Sequence, residues 1–145
     1  MMVDIEDFLT KPYWIIDILP KQVPADASGQ YFAIEKYFLS SPQVDDIYHK
    51  FAGMILSLNC YHDILVLDGN KCIVNPEPFT LEQMVQERKP LNIVINRNQA
   101  MISITGNDHY MTLYGPDNDL LELISLVASA QGLHVWNTQN NKYNV

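Results

Sequence analysis

The chain has 145 residues, 48% of them hydrophobic and 18% charged, and its formal net charge is -8 at pH 7. That length and hydrophobic content suit a single domain that buries a sizeable core without metal or disulfide cross-links. The 9 basic residues are scattered, and a negative field repels phosphate backbones, so composition excludes DNA and RNA as direct ligands.

The first residues and the two cysteines predict a cytoplasmic protein. Acidic residues stand in MMVDIEDFLTKP where a secretory signal carries basic ones, and no apolar run approaches the roughly 20 residues that span a bilayer. Two cysteines in a chain of this length do not make the dense disulfide framework of small secreted domains. We therefore expect no membrane segment, and we expect Cys60 and Cys72 to be reduced, partly buried thiols.

The amino-terminal part begins with an extended segment. PYWIIDILP (12–20) is rich in aromatic and β-branched residues between two prolines, which predicts a strand. The helix breakers and small residues of 21–29 predict a loop or a projecting arm. Segment 30–39 fits both a strand and a helical face, and we predict a short strand followed by a turn of helix.

The clearest helix runs from Ser41 to Asn59. Ser41 is the expected N-cap, and Pro42 occupies the first helical position. The apolar residues of this segment recur at spacings of three and four, which places Phe51 and Ile55 on its buried face.

Two hairpin signals flank a shorter helix. HDILVL and KCIV stand on either side of DGN, which predicts a hairpin. A capping box of Thr80 and Gln83, with Phe79 packed against Met84, predicts a short helix. Three apolar runs within 91–114 are separated by short turns, which predicts a three-stranded antiparallel meander.

The carboxyl-terminal part predicts one more long helix and a short strand. Segment 117–131 is apolar around most of its circumference, so it is either a central core helix or a helix that lends its outer leucines to a homodimer. LHVW then predicts a strand, and the polar residues 137–145 predict a frayed tail. The sequence therefore predicts a single α+β domain over residues 1–136, with a mainly antiparallel sheet packed by two long helices and one short helix.

The letters NCYHD bring together the residue types of a nucleophile, a general base and an orienting carboxylate. Cys60, His62 and Asp63 fall where the long helix ends and a strand begins. Successive strand side chains point to opposite faces, so His62 and Asp63 cannot converge on one substrate from there. Structural roles are the favoured interpretation, and a catalytic site that also recruits His49 is kept as a weak alternative.

Asp46 and His49 form a carboxylate-x-x-His pair on one helix face, a spacing found in metal-binding bundles. Such sites need further ligands from neighbouring helices, and the other histidines lie on predicted strands. The alternative is a set of solvated contacts, Asp45 with His49 and Asp46 with Lys50. We favour these contacts and predict no metal and no cofactor.

The outer face of the meander is polar but uncharged. If the alternate apolar residues face the core, the opposite face carries Asn92, Val94, Asn96, Met101, Ser103, Thr105, Tyr110, Thr112 and Tyr114. Solvating faces usually carry charged residues, whereas Tyr, Asn, Ser and Thr are typical of adaptable recognition. Cover by water or by segment 12–20 is the competing explanation. The polar residues of this face are our candidate protein contact.

Three functions remain open. The first is a small acidic module that binds a basic protein partner and has no catalytic machinery, of which an immunity-type inhibitor of a basic toxin is one example. The second is a small enzyme built from dispersed residues such as Cys60, His62, Asp63 and His49. The third is a small-molecule sensor with a pocket between the sheet and the 21–29 loop. We rank them in that order.

Overall fold

The computed structural model describes residues 3–21, 29–106 and 108–137. Residues 138–145 of the predicted tail and residues 22–28 of the predicted loop therefore lie outside the described residues. The strands are β1 (Tyr13–Asp17), β2 (Ile64–Asp68), β3 (Lys71–Val74), β4 (Leu91–Ile95), β5 (Ala100–Ile104), β6 (Tyr110–Tyr114) and β7 (His134–Trp136). The helices are α1 (Ile5–Leu9), α2 (Tyr31–Phe38), α3 (Gln43–Asn59), α4 (Pro78–Gln86) and α5 (Asn118–Ala130).

The seven strands form one sheet in the order β3-β2-β4-β5-β6-β1-β7. Every neighbouring pair is antiparallel. The predicted α+β class is confirmed. The predicted count of three helices is wrong, because five are present among the described residues, and the strands of the meander are the centre of a larger sheet rather than a separate unit.

One face of the sheet carries the main core. Alternate residues of each strand point to it, among them Ile16, Ile93, Ile102 and Leu113, and α3, α4 and α5 pack their apolar faces against them. We call this side the helix face, and the opposite side the outer face. The apolar residues of the strands and those of the helices therefore form one continuous layer between the sheet and the helices.

The long helix α3 is shorter at its amino terminus than predicted. Pro42 occupies the N-cap position without a side-chain cap, so the prediction of Ser41 as N-cap is wrong. The first turn is held by backbone carbonyls instead, because Val44 N–H donates to Ser40 and Asp45 N–H donates to Pro42. The predicted burial of Phe51 is confirmed, as is that of Ile55.

Segment 30–39 is helical, and the prediction of a short strand there is wrong. Tyr31, Glu35 and Phe38 are its partly covered residues, and they recur at helical spacing. Phe32 and Ile34, whose alternation suggested a strand, are both exposed. The helix α2 thus contacts the rest of the protein through one narrow row of side chains.

The short helix α4 begins two residues earlier than its predicted capping box. Glu77 is the N-cap and Pro78 takes the first helical position, so Thr80 lies inside the helix, where it cannot act as an N-cap. Phe79, which was predicted to pack against Met84, is exposed, whereas Met84 is buried.

The final helix α5 is well capped and packs on the helix face. The Asp117 carboxylate accepts a hydrogen bond from Leu120 N–H at 2.8 Å, and Gly132, with φ +80, follows its end. Ile124 and Val127 are buried, which bears out a core role. Leu126 is exposed, and a homodimer contact through the 117–131 helix stays a prediction.

Candidate functional site

The amino-terminal helix α1 covers one half of the outer face. Its N-cap Asp4 accepts a hydrogen bond from Asp7 N–H, and its buried Phe8 packs with Leu65, Val94 and Met101. The two apolar residues predicted on this face, Val94 and Met101, are therefore shielded from solvent by a helix that the sequence reasoning did not predict.

The other half of the outer face lies beside segment 12–20, which does not cover it. This segment forms β1 and pairs edge to edge with β6, with Tyr13 opposite Tyr114 and Asp17 opposite Tyr110. It therefore widens the face. The competing explanation, that this segment packs over the meander, is wrong.

Five of the seven polar residues proposed as a contact face lie on the outer face within strands. Cross-strand pairs join Asn92 to Ser103 and Ser103 to Thr112. Tyr110 and Tyr114 lie two residues before and after Thr112 on β6, so they point to the same face. The other two follow strand ends. Asn96 lies in a turn with φ 48, and the Thr105 hydroxyl bonds the Asp108 carboxylate at 2.9 Å.

A groove of about 480 Å³ is bounded by α2 on one side and by the open half of the outer face on the other. We call it the tyrosine groove. Its lining combines aromatic rings, two carboxylates and few other groups: Tyr13, Ile15, Asp17, Tyr31, Glu35, Tyr110, Thr112, Tyr114 and Trp136. None of these residues is basic.

Two periodicities bring the lining together. Alternate residues of β1 point to one face, which sets Tyr13, Ile15 and Asp17 in a row. Residues four apart share one side of a helix, so Tyr31 and Glu35 of α2 face the same row. The last wall is Trp136, opposite Ile15 on β7.

Asp17 is the most perturbed acid among the described residues. Burial, which disfavours the charged form, raises its pKa from the ordinary value of 3.8 to about 6. The negative charge of Glu35 adds to the rise, and backbone N–H groups of Leu19 and Ile18 oppose it. The bond from Leu19 is long, 3.4 Å. Asp17 forms no ion pair with another described residue.

Three tyrosines of the groove have pKa values shifted by their surroundings. Burial raises the pKa of Tyr31, Tyr110 and Tyr114 above its ordinary value. The nearby Asp108 carboxylate adds to the rise in the pKa of Tyr110. The rings of Tyr13 and Tyr114 lie with centroids 6.1 Å apart. The groove therefore offers π faces, hydroxyls and negative charge.

A smaller hollow of about 230 Å³ continues the tyrosine groove past α2. It shares Asp17, Glu35 and Tyr110 with the groove and adds Asp108 and His109. The His109 ring lies 3.2 Å from the hydroxyl of the buried Tyr48. This continuation brings a third carboxylate to the same side of the molecule.

The structure does not join the members of the NCYHD stretch. The exposed Cys60 thiol contacts the Leu56 carbonyl at 3.6 Å, and the Asp63 carboxylate accepts from the Asn75 amide at 3.0 Å. Among the described residues, no hydrogen bond links Cys60, His62 and Asp63. His49 lies about three helical turns from Cys60 along α3.

The two cysteines are free thiols, and both are exposed rather than partly buried as predicted. Cys60 follows the last turn of α3, where the chain leaves the core. Cys72 lies on β3, the edge strand of the sheet. Edge and exit positions lack the neighbours that burial requires.

The contacts of His49 and Asp45 differ from the predicted ones. His49 Nδ1 lies 2.7 Å from Glu82, and Asp45 pairs with Arg88, so the predicted Asp45–His49 contact is wrong. Lys50 does contact Asp46, at 3.5 Å. Within the described ranges, no group of three or more His, Cys, Asp or Glu side chains is placed to hold a metal ion.

We expect the purified protein to hold no stoichiometric transition metal at Asp46 and His49 after dialysis. Their side chains are already engaged by Lys50 and Glu82, and a stable site needs more converging ligands. Elemental analysis of the dialysed protein checks this. Zinc, iron or manganese that survives dialysis and disappears in the His49→Ala variant would contradict it.

Sequence reasoning missed the half of the groove that comes from β1, β7 and α2. One signal was present for Asp17, the single acid within the apolar run YWIIDIL. A carboxylate in such a strand either faces solvent or is buried, and a buried carboxylate needs hydrogen bonds, a charged partner or a raised pKa. Its partners Glu35 and Tyr31 gave no comparable signal, because their segment was assigned the wrong periodicity.

Comparison with protein-family models, with curated proteins and with solved structures finds no match to this chain. Among the described residues, no helix combines the length and the apolar character needed to cross a membrane.

Proposed function

We propose that the protein is a small cytoplasmic interaction module without catalytic machinery, which binds a basic protein partner through the open half of its outer face. An immunity-type inhibitor or a regulatory binding protein would act in this way. The observation that carries the proposal is the tyrosine groove, in which five aromatic rings surround two carboxylates.

The composition of the groove favours recognition of a protein surface. Tyrosine and tryptophan give large contact areas at small cost in side-chain entropy, and they are enriched among residues that dominate binding energy. The formal net charge of -8 would attract a basic partner and speed its encounter. Aromatic content and charge therefore favour the same class of partner.

A small-molecule sensor is the second candidate. The volume of the tyrosine groove, about 480 Å³, falls in the range of ligand pockets. Its polar groups converge from three directions, as they do in such sites. A sensor would bind its ligand without any protein partner, which separates the two candidates.

Replacing Tyr114 or Tyr110 by Ala is expected to weaken binding of the native partner by about 1 to 2 kcal/mol, as for interface anchors. Both rings line the groove and are partly exposed, so their loss removes contact area from the groove. The measurement is calorimetric titration with a partner co-purified from the native cell and then produced separately.

Tyr61→Ala is the matched control for these variants. Tyr61 is 66% exposed and follows the end of α3, outside the groove lining, so its loss should leave partner affinity unchanged. A partner whose affinity ignores both groove substitutions, or responds equally to Tyr61→Ala, would refute the proposed contact face. Each variant is first checked by circular dichroism and thermal unfolding.

A further inference from the structure

We infer that the tyrosine groove receives one arginine side chain of the partner, with its guanidinium against the tyrosine rings and within reach of the Asp17 and Glu35 carboxylates. This inference rests on the proposed function and specifies its chemistry. It is carried by three features of the groove.

The first feature is uncompensated negative charge in a partly enclosed space. Asp17 comes from β1 and Glu35 from α2, and both line the groove. Neither forms an ion pair with another described residue. Two like charges in a partly buried groove repel each other, so a cation that enters between them relieves an existing repulsion as well as adding attraction.

The second feature is the aromatic wall around that charge. The negative π faces of tyrosine and tryptophan attract cations, most strongly where water is displaced. The rings of Tyr13, Tyr31, Tyr110, Tyr114 and Trp136 all line the groove. An anionic or neutral ligand would gain stacking alone, whereas a cation gains from the rings and the carboxylates together.

The third feature is an arrangement of the same kind inside the chain. The Arg88 guanidinium stands 4.8 Å from the centre of the Tyr48 ring, and the same guanidinium pairs with the Asp45 carboxylate. A planar guanidinium can stack on a ring while its edge bonds a carboxylate, which a compact ammonium cannot do. The groove repeats the ring and carboxylate of this arrangement without its arginine.

The test uses Nα-acetyl-arginine amide, whose only charge is the guanidinium, titrated into the full chain at pH 8. Nitrogen-edited NMR follows the backbone signals of β1 and β6 and the indole N–H of Trp136. We expect saturable shifts confined to the groove, and about tenfold tighter binding than for the neutral isostere acetyl-citrulline amide. Nα-acetyl-lysine amide, which keeps its charged side-chain ammonium, should bind more weakly than the arginine probe.

The variants Asp17→Asn and Glu35→Gln are each expected to weaken the arginine probe by at least about threefold. Asn keeps an oxygen that can accept from Leu19, and the NMR spectrum itself reports folding, so either variant is informative alone. Glu122→Gln removes the same charge from an exposed position on α5. This control should leave probe affinity unchanged.

Several results would overturn the inference. These are equal binding of the citrulline probe, tighter binding of the lysine probe, shifts outside the groove, or an equal effect of Glu122→Gln. Agmatine carries a primary ammonium in addition to the guanidinium. If it binds far more tightly than capped arginine, the groove would be assigned to a free amine instead. If partner affinity depends on Tyr114 but not on Asp17 and Glu35, the arginine inference fails while the proposed function stands. If it ignores Tyr110 and Tyr114, the proposed function itself fails.

Discussion

Replacing Phe51 by Ala is expected to lower the free energy of unfolding by about 3 to 5 kcal/mol, the range for truncating a fully buried phenylalanine. The Phe51 side chain is 0% exposed and meets the Tyr48 ring edge to face, with centroids 5.5 Å apart. It belongs to the apolar layer between α3 and the sheet. The cavity left by its loss cannot collapse without moving both.

The matched control for Phe51→Ala is Phe79→Ala. Phe79 is 70% exposed on α4, so the same chemical truncation there should change stability by less than about 0.5 kcal/mol. Urea unfolding of both variants at pH 7 gives the comparison, with unchanged denaturant dependence as the sign of a common unfolded state. A loss below about 1 kcal/mol for Phe51→Ala would mean that another face of α3 is buried.

Local periodicity was enough to predict the parts of the fold that depend on near neighbours. The apolar spacing of α3 correctly placed Phe51 and Ile55 in the core, and the DGN turn correctly preceded β3. Both signals act over one or two turns of chain. They hold because a helix with one apolar face, or a two-residue turn, has few alternative structures.

The parts that failed depend on partners far away in the chain. The strand predicted within 12–20 is present as β1, but its place in the sheet was not predicted. Its neighbours β6 and β7 lie about a hundred residues later, and no local pattern specifies such pairing. Segment 30–39 carried both periodicities, and the choice was decided by packing onto α3 and the sheet. The covering helix α1 is too short to show a period.

The same division applies to the tyrosine groove. Tyr110 and Tyr114 could be placed on the outer face because they alternate along one strand. Asp17 and Glu35 could not be brought together in this way, because their proximity depends on β1 pairing with β6 and on where α2 packs. The positions of the two acidic residues therefore follow only from the tertiary structure, whereas those of Tyr110 and Tyr114 follow from the alternation of side chains along β6.

Replacing Asp17 by Asn is expected to raise the free energy of unfolding by roughly 2 kcal/mol at pH 8. A carboxyl whose pKa rises from 3.8 to about 6 on folding is harder to ionise in the native state, at a cost of about 3 kcal/mol before solvent screening is considered. Partial exposure of the groove reduces this cost to roughly 2 kcal/mol. Asn avoids it and keeps an acceptor for Leu19.

The sign of the pH dependence follows from proton binding. Between pH 4 and pH 6 the native state binds more protons at Asp17 than the unfolded state does, so this group makes stability fall as pH rises. The difference between wild type and Asp17→Asn should therefore be small at pH 4, grow through this window and stay constant above about pH 7. Urea unfolding from pH 4 to pH 8 measures it.

Other titratable groups near Asp17 set the control for this experiment. Glu35 faces it from α2, His134 is opposite on β7, and Asp108 and His109 precede β6. All of them remain in the Asp17→Asn variant, so subtraction leaves the titration of Asp17 together with its coupling to Glu35, and Glu122→Gln reports the effect of net charge alone. If Asp17→Asn instead destabilised the protein increasingly toward pH 8, the native carboxylate would already have a cationic partner. The tyrosine groove would then have no uncompensated charge to offer an incoming arginine.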